Sequence, residues 1–146
     1  MAESDPFALA HRAAAALAQR TGVGCHDVVV VLGSGWADAA DGLGEVVADV
    51  EMADLPGFPP PTVEGHRNLA RSVKVGEMAA LILGGRAQLY EGHPVDTVVH
   101  GVRTAVAAGC RTAVLTNAAG GLNPDWPVGQ PVVIADHLNL TGASPM

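Results

Sequence analysis

A chain of 146 residues and 14.8 kDa suffices for one domain with a core of useful size, and 1–146 is read as a single domain. Apolar residues make up 49% and charged residues 16%, which excludes a disordered tail or a coiled-coil rod, since both need more charge and fewer Val and Leu. Eight Lys and Arg against 15 Asp and Glu leave a net charge of −7, a balance that repels a nucleic-acid polymer unless the cations cluster, and they do not.

Asp5-Pro6 predicts a helix start, an N-cap acceptor followed by Pro at the first helical position. Phe7, Ala10, Ala14 and Leu17 then recur on one face up to about Arg20, where Gly22 and Gly24 interrupt. Val28 to Leu32 is a β-branched apolar run typical of a strand buried on both faces, and it feeds into Gly33-Ser34-Gly35. Gly44 to Met52, Leu69 to Val75 and Met78 to Leu83 predict three more strands. Between the first two of these, Leu55 to Asn68 holds four prolines and two glycines and is expected to be a surface loop.

After a second loop from Gly84 to Pro94, Val95, Val98, Val99, Val102, Ala105 and Val106 follow helical spacing up to Gly109. Thr112 to Thr116 predicts a strand that stops at Asn117-Ala118-Ala119-Gly120-Gly121, and Pro131 to Ala135 a further strand that ends at Asp136-His137. Strands interleaved with helices give an α/β domain, with glycine-rich loops at strand ends, where open α/β sheets bind ligands.

The longest apolar runs fall far short of the roughly 20 residues that span a bilayer, so no membrane partner is expected. Glu3 and Asp5 stand where a secretory signal carries positive charge, which favours a cytoplasmic location. Cys25 and Cys110 show no disulfide or metal-ligand spacing and are expected to be buried thiols.

Gly33-Ser34-Gly35 is neither a dinucleotide nor a P-loop fingerprint; it suits close approach of an anion to main-chain N–H groups, or simply a tight turn. Gly65-His66-Arg67 brings an imidazole and a guanidinium to the end of the proline-rich loop, for an anion or for solvent. The run from Gly84 to His93 is denser: Arg86, Gln88, Tyr90, Glu91 and His93 offer a bidentate cation, an amide, a phenol, a carboxylate and an imidazole directly after a strand. In 117–121 the small residues leave the backbone open to a flat or anionic ligand, although glycine at a strand end is also ordinary turn chemistry.

Taken in order, GSG, the GH of the proline-rich loop, GGRAQLYEGH, LTNAAGG and DHLNLTG make the chain resemble the trimeric purine nucleoside phosphorylase family from Val28 to Met146. The resemblance implies a mixed twisted sheet flanked by helices, in the nucleoside phosphorylase fold. It implies phosphorolysis of purine ribo- and deoxyribonucleosides by inorganic phosphate to free base and (deoxy)ribose 1-phosphate, in a homotrimer. Phosphate is then a co-substrate, and neither an organic cofactor nor a metal is expected. By the same resemblance Ser34, His66, Arg86, Gln88 and the N–H of Ala118 hold phosphate, Tyr90 contacts the ribose, and Ala119 and Gly120 line the purine pocket; His66, Arg86 and Tyr90 are the expected catalytic residues.

Two departures from the family pattern bear on these expectations. Gln88 stands where the family usually has His; it donates a hydrogen bond but carries no charge at any pH. A Gln88→His variant should therefore bind phosphate more tightly or show a steeper pH dependence, as titration at several pH values would show. The chain also corresponds to the N-terminal half of the family pattern and looks truncated, and the Glu and Asn that recognise the purine in the family lie past the position of Met146. The alternatives are a methylthioadenosine phosphorylase, against which Tyr90-Glu91-Gly92 argues, and an inactive fragment that retains a phosphate half-site.

Overall fold

The computed structural model describes residues 5–60 and 68–145. Helix α1 covers Pro6–Thr21; Asp5 caps it by accepting a hydrogen bond from the Phe7 N–H at 3.0 Å, and Gly22 closes it at φ 73°. Strand β1 is Val28–Val31, β2 Glu45–Glu51, β3 Leu69–Val75 and β4 Met78–Leu83. Helix α2 is Val95–Ala107 and β5 is Thr112–Leu115. These seven elements match the sequence expectations to within about two residues at each end.

The strands form one mixed sheet in the order β2-β3-β4-β1-β5. The central pairs β1/β4 and β1/β5 are parallel, and β2/β3 and β3/β4 antiparallel. Alternation along the strands divides the core in two. Val29, Val31, Ala70, Leu81 and Leu83 point to the face where Leu17 of α1 and Ala105 of α2 pack. Val73, Ala80 and Ile82 occupy the other face with Leu32, against Ala40 and Leu43, and Val28 and Val30 are only half-buried there. The expectation of a β1 strand buried on both faces therefore holds fully on the helix side alone.

Five other expectations are corrected. Pro131–Ala135 is not a strand: no described strand lies beside it, and an isolated extended segment has nowhere to send its backbone hydrogen bonds. Cys25 is exposed, because it sits on the connection before β1, outside both layers; Cys110 is buried, and burial pushes its thiol up to about 11. Phe7 stands outside the buried face of α1, 60% exposed, with the Arg103 guanidinium 5.0 Å from its ring centre.

The start of the proline-rich loop is not on the surface either. Leu55 is buried, Phe58 meets the His100 ring edge-on at 4.8 Å, and His100 Nε2 donates to the Pro56 carbonyl at 2.8 Å. His100 and Thr104 thus share the buried side of α2 with Ala105, while Val106, expected in the apolar stripe, is exposed.

Candidate functional site

Because β4, β1 and β5 run parallel, their C-terminal ends open at one edge of the sheet, the usual ligand-binding edge of such sheets. Three sequence motifs follow those ends: Gly33-Ser34-Gly35 after β1, Gly84 to Gln88 after β4, and Thr116 to Gly121 after β5. They meet at Gly33. A Cβ there would lie 2.4 Å from the Thr116 carbonyl oxygen and 3.0 Å from both Arg86 Nη1 and Asn117 Cα, so only glycine lets the segments approach this closely.

Side chains join the three loops. Arg86 Nη1 donates to the Thr116 carbonyl at 2.8 Å. The Thr116 hydroxyl accepts from the Gly33 N–H at 3.0 Å and donates to the Val31 carbonyl at 3.1 Å. The indole N–H of Trp36 donates to the Asn117 carbonyl at 3.3 Å. Beside this cluster lies a cavity of about 310 Å³ whose walls include Met52, Phe58 and Val102 and whose polar groups come from Asn68, Arg86 and Asn117.

The β1 exit loop is also held at its far side. Arg71 on β3 donates to Asp49 at 2.7 and 3.1 Å and to Asp41 at 2.6 Å. Asp41 belongs to the short 3₁₀ turn Ala37–Gly42 that follows Ser34, so this bridge ties the turn to the sheet. The bonds to Asp49 and Asp41 raise the affinity of Arg71 for its proton.

The expected site residues are distributed unevenly around this frame. Arg86 lies in the cluster, half-buried. Ser34, Ala118, Ala119 and Gly120 are exposed on the loops that converge there. His66 lies outside the described residues, as do Gly65 and Arg67. The Gln88 side chain accepts from the Glu91 N–H while Glu91 Oε2 accepts from the Gln88 N–H at 2.8 Å, a reciprocal cap on the 3₁₀ turn Leu89–Glu91. That bond uses the amide oxygen of Gln88 and leaves its NH₂ donors for other work. Glu91 therefore supports the loop from behind, with His93 Nε2 3.9 Å from its carboxylate, while Tyr90 projects from the turn at 80% exposure.

Sequence reasoning did not single out Trp36, Arg71 or Thr116. Only the positions of Trp36 and Thr116, each one residue from a glycine-rich or small-residue motif, carried any signal; Arg71 sits inside a strand that looked ordinary. Among the described residues, no group of three or more His, Cys, Asp or Glu side chains is placed to hold a metal ion, and no helix is long and apolar enough to cross a membrane.

A half-parallel sheet with an arginine and glycine-rich exits gathered at one edge is an open α/β architecture, and the family is explicit: residues 27–146 match the model of the phosphorylase superfamily, to which the chain belongs. Among curated relatives, purine nucleoside phosphorylase of Mycobacterium tuberculosis is 56% identical over 97% of this chain, and purine nucleoside phosphorylase of a Cellulomonas species is 53% identical over 98%. The chain spans about half the length of these relatives, 53% and 52% respectively. Among solved structures, isoform 2 of purine nucleoside phosphorylase from Schistosoma mansoni, in complex with cytosine and ribose-1-phosphate, superposes with a TM-score of 0.70 at 27% identity, covering 82% of this chain and 43% of that one.

Proposed function

We propose that this chain carries the phosphate side of a purine nucleoside phosphorylase, which transfers the (deoxy)ribosyl group of a purine nucleoside to inorganic phosphate. The observation that carries the reading is the convergence of Gly33, Arg86 and Thr116-Asn117 at the exits of three parallel strands. Relatives more than half identical, named for that activity, support it.

In this reading Ser34, His66, Arg86, Gln88 and the Ala118 N–H bind phosphate, Tyr90 meets the ribose, and Ala119 and Gly120 lie against the purine. Cleavage of the glycosidic bond develops an oxocarbenium-like sugar, so an anion fixed beneath C1′ stabilises the transition state and is already in place to attack. Arg86 suits that role: with one N–H committed to Thr116, a guanidinium keeps four for an oxyanion, in a planar fork that matches phosphate. His66, Arg86 and Tyr90 are the proposed catalytic residues. The co-substrate is phosphate, with no organic cofactor or metal, and the working protein is a homotrimer. The free thiols of Cys25 and Cys110 suit a reducing, cytoplasmic compartment.

The test is hypoxanthine release from inosine by the purified chain, with and without phosphate, beside a phosphate titration by calorimetry. Phosphate-dependent release is expected of the complete activity. Release that ignores phosphate would mean hydrolysis and overturn the proposal. Saturable phosphate binding without release would uphold the phosphate site alone and identify a half-site.

A further inference from the structure

The junction of β1 and β5 departs from regular pairing at the residue that holds Arg86. Val31 pairs with Leu115 in the parallel register, and the Thr116 N–H continues the ladder by donating to the Val31 carbonyl at 3.0 Å. The next rung of a regular parallel ladder would send the Gly33 N–H to the Thr116 carbonyl. Here the Gly33 N–H goes to the Thr116 hydroxyl instead, at 3.0 Å, and that hydroxyl gives its own proton to the Val31 carbonyl. The Thr116 carbonyl, relieved of Gly33, accepts from Arg86 Nη1.

We infer that Thr116 is a positioning residue for Arg86: its hydroxyl substitutes for its own carbonyl in the ladder and thereby reserves that carbonyl to orient the guanidinium. The substitution asks for a hydroxyl on a short side chain, since the group must reach two backbone partners on the neighbouring strand without leaving its own. Threonine adds a branch that restricts χ1 and keeps the oxygen there. Without the hydroxyl, Gly33 has a ready alternative, because the Thr116 carbonyl lies against it, 2.4 Å from where a Gly33 Cβ would be. The ladder then closes by one more rung, and the Gly33 N–H shares the Thr116 carbonyl with Arg86, pulling it into the ladder direction and weakening its hold on the guanidinium. A fixed guanidinium presents its remaining donors to an anion without first losing rotamer freedom, and a released one does not.

The consequence for phosphate rests on the function proposed above, so the test separates the two. Thr116→Val removes the hydroxyl at nearly constant shape, and Thr116→Ser keeps it. In the unliganded chain, nitrogen-15 NMR of the Arg86 guanidinium should show slowed rotation and distinct N–H signals in wild type and Thr116→Ser, and averaged signals in Thr116→Val. In calorimetry, Thr116→Val should bind inorganic phosphate about tenfold more weakly than wild type, with Thr116→Ser within about twofold. Unchanged Arg86 signals in Thr116→Val overturn the inference, and so does a Thr116→Ser variant that fails alongside it, since packing of the methyl group would then be responsible. If the wild-type chain binds no phosphate, the functional reading falls, and the guanidinium signals alone decide whether Thr116 holds Arg86.

Discussion

Val28-Val29-Val30-Val31 and Val132-Val133-Ile134 are nearly the same in composition and opposite in fate. The first becomes the centre of the sheet, hydrogen-bonded to β4 on one side and β5 on the other, with Val29 1% exposed. The second is no strand at all, and Val133 is 94% exposed. Both have the residues a strand wants; only one has neighbours. β-propensity measures fit to a pleated, half-buried surface, and where no surface is supplied it has nothing to act on.

The contrast is sharpest in the core. Leu81 on β4, fully buried on the helix side, should lose about 3 kcal/mol of stability on Leu81→Ala, read from urea midpoints, because the neighbouring layers cannot collapse into the space. Next comes the strand exit: Gly33→Ala drives a methyl into the Thr116 carbonyl and should cost about 2 kcal/mol and abolish phosphate binding in calorimetry. Retention of both stability and binding would mean that the three loops are not held together at that point.

A gentler probe uses pH. His26 is buried, bonded through Nε2 to Ser72 at 2.8 Å, and its Nδ1 has no hydrogen-bond partner among the described residues. Burial pushes its pKa below the ordinary 6.5, against a smaller opposing effect of Asp27. A histidine with a lowered folded pKa favours the fold while neutral, so its contribution is complete above 6.5 and is lost as pH falls from there through the folded value. The unfolding midpoint should therefore drop on acidification, and less steeply in His26→Gln. Equal slopes would move the effect to His100, whose pKa burial also lowers, against an opposing bond to Pro56. The smallest change belongs to the unpartnered run: Val133→Ala should alter stability by less than about 0.5 kcal/mol, and a larger loss would mean that this segment is covered in solution.

Much of this molecule was legible in advance because its signals are local. Asp5-Pro6 and Gly22 bound α1 through a side-chain cap and a left-handed glycine, both acting within a turn, and β3 and β4 run over the very residues that alternation and continuous hydrophobicity picked out. Arg86 and the motif glycines were legible as candidates for the same reason: a cation or a glycine directly after a strand declares itself in one dimension. Thr116 showed only its place beside the 117–121 motif and not its role, which is to replace one rung between residues 83 positions apart. Arg71 escaped likewise, since its carboxylate partners come from β2 and the turn after β1.

The division between sequence and tertiary structure follows from the range of the forces involved. Caps, turn glycines and hydrophobic periodicity act over a few residues, and they determined which segments are helices, which are able to be strands, and which loops gather glycines and polar side chains. Hydrogen-bond pairing between strands and the exclusion of water from a shared face act between distant residues. They alone decided that Val132-Val133-Ile134 stays unpaired, that Cys25 lies outside the core, and that Gly33, Arg86 and Thr116 meet at one point.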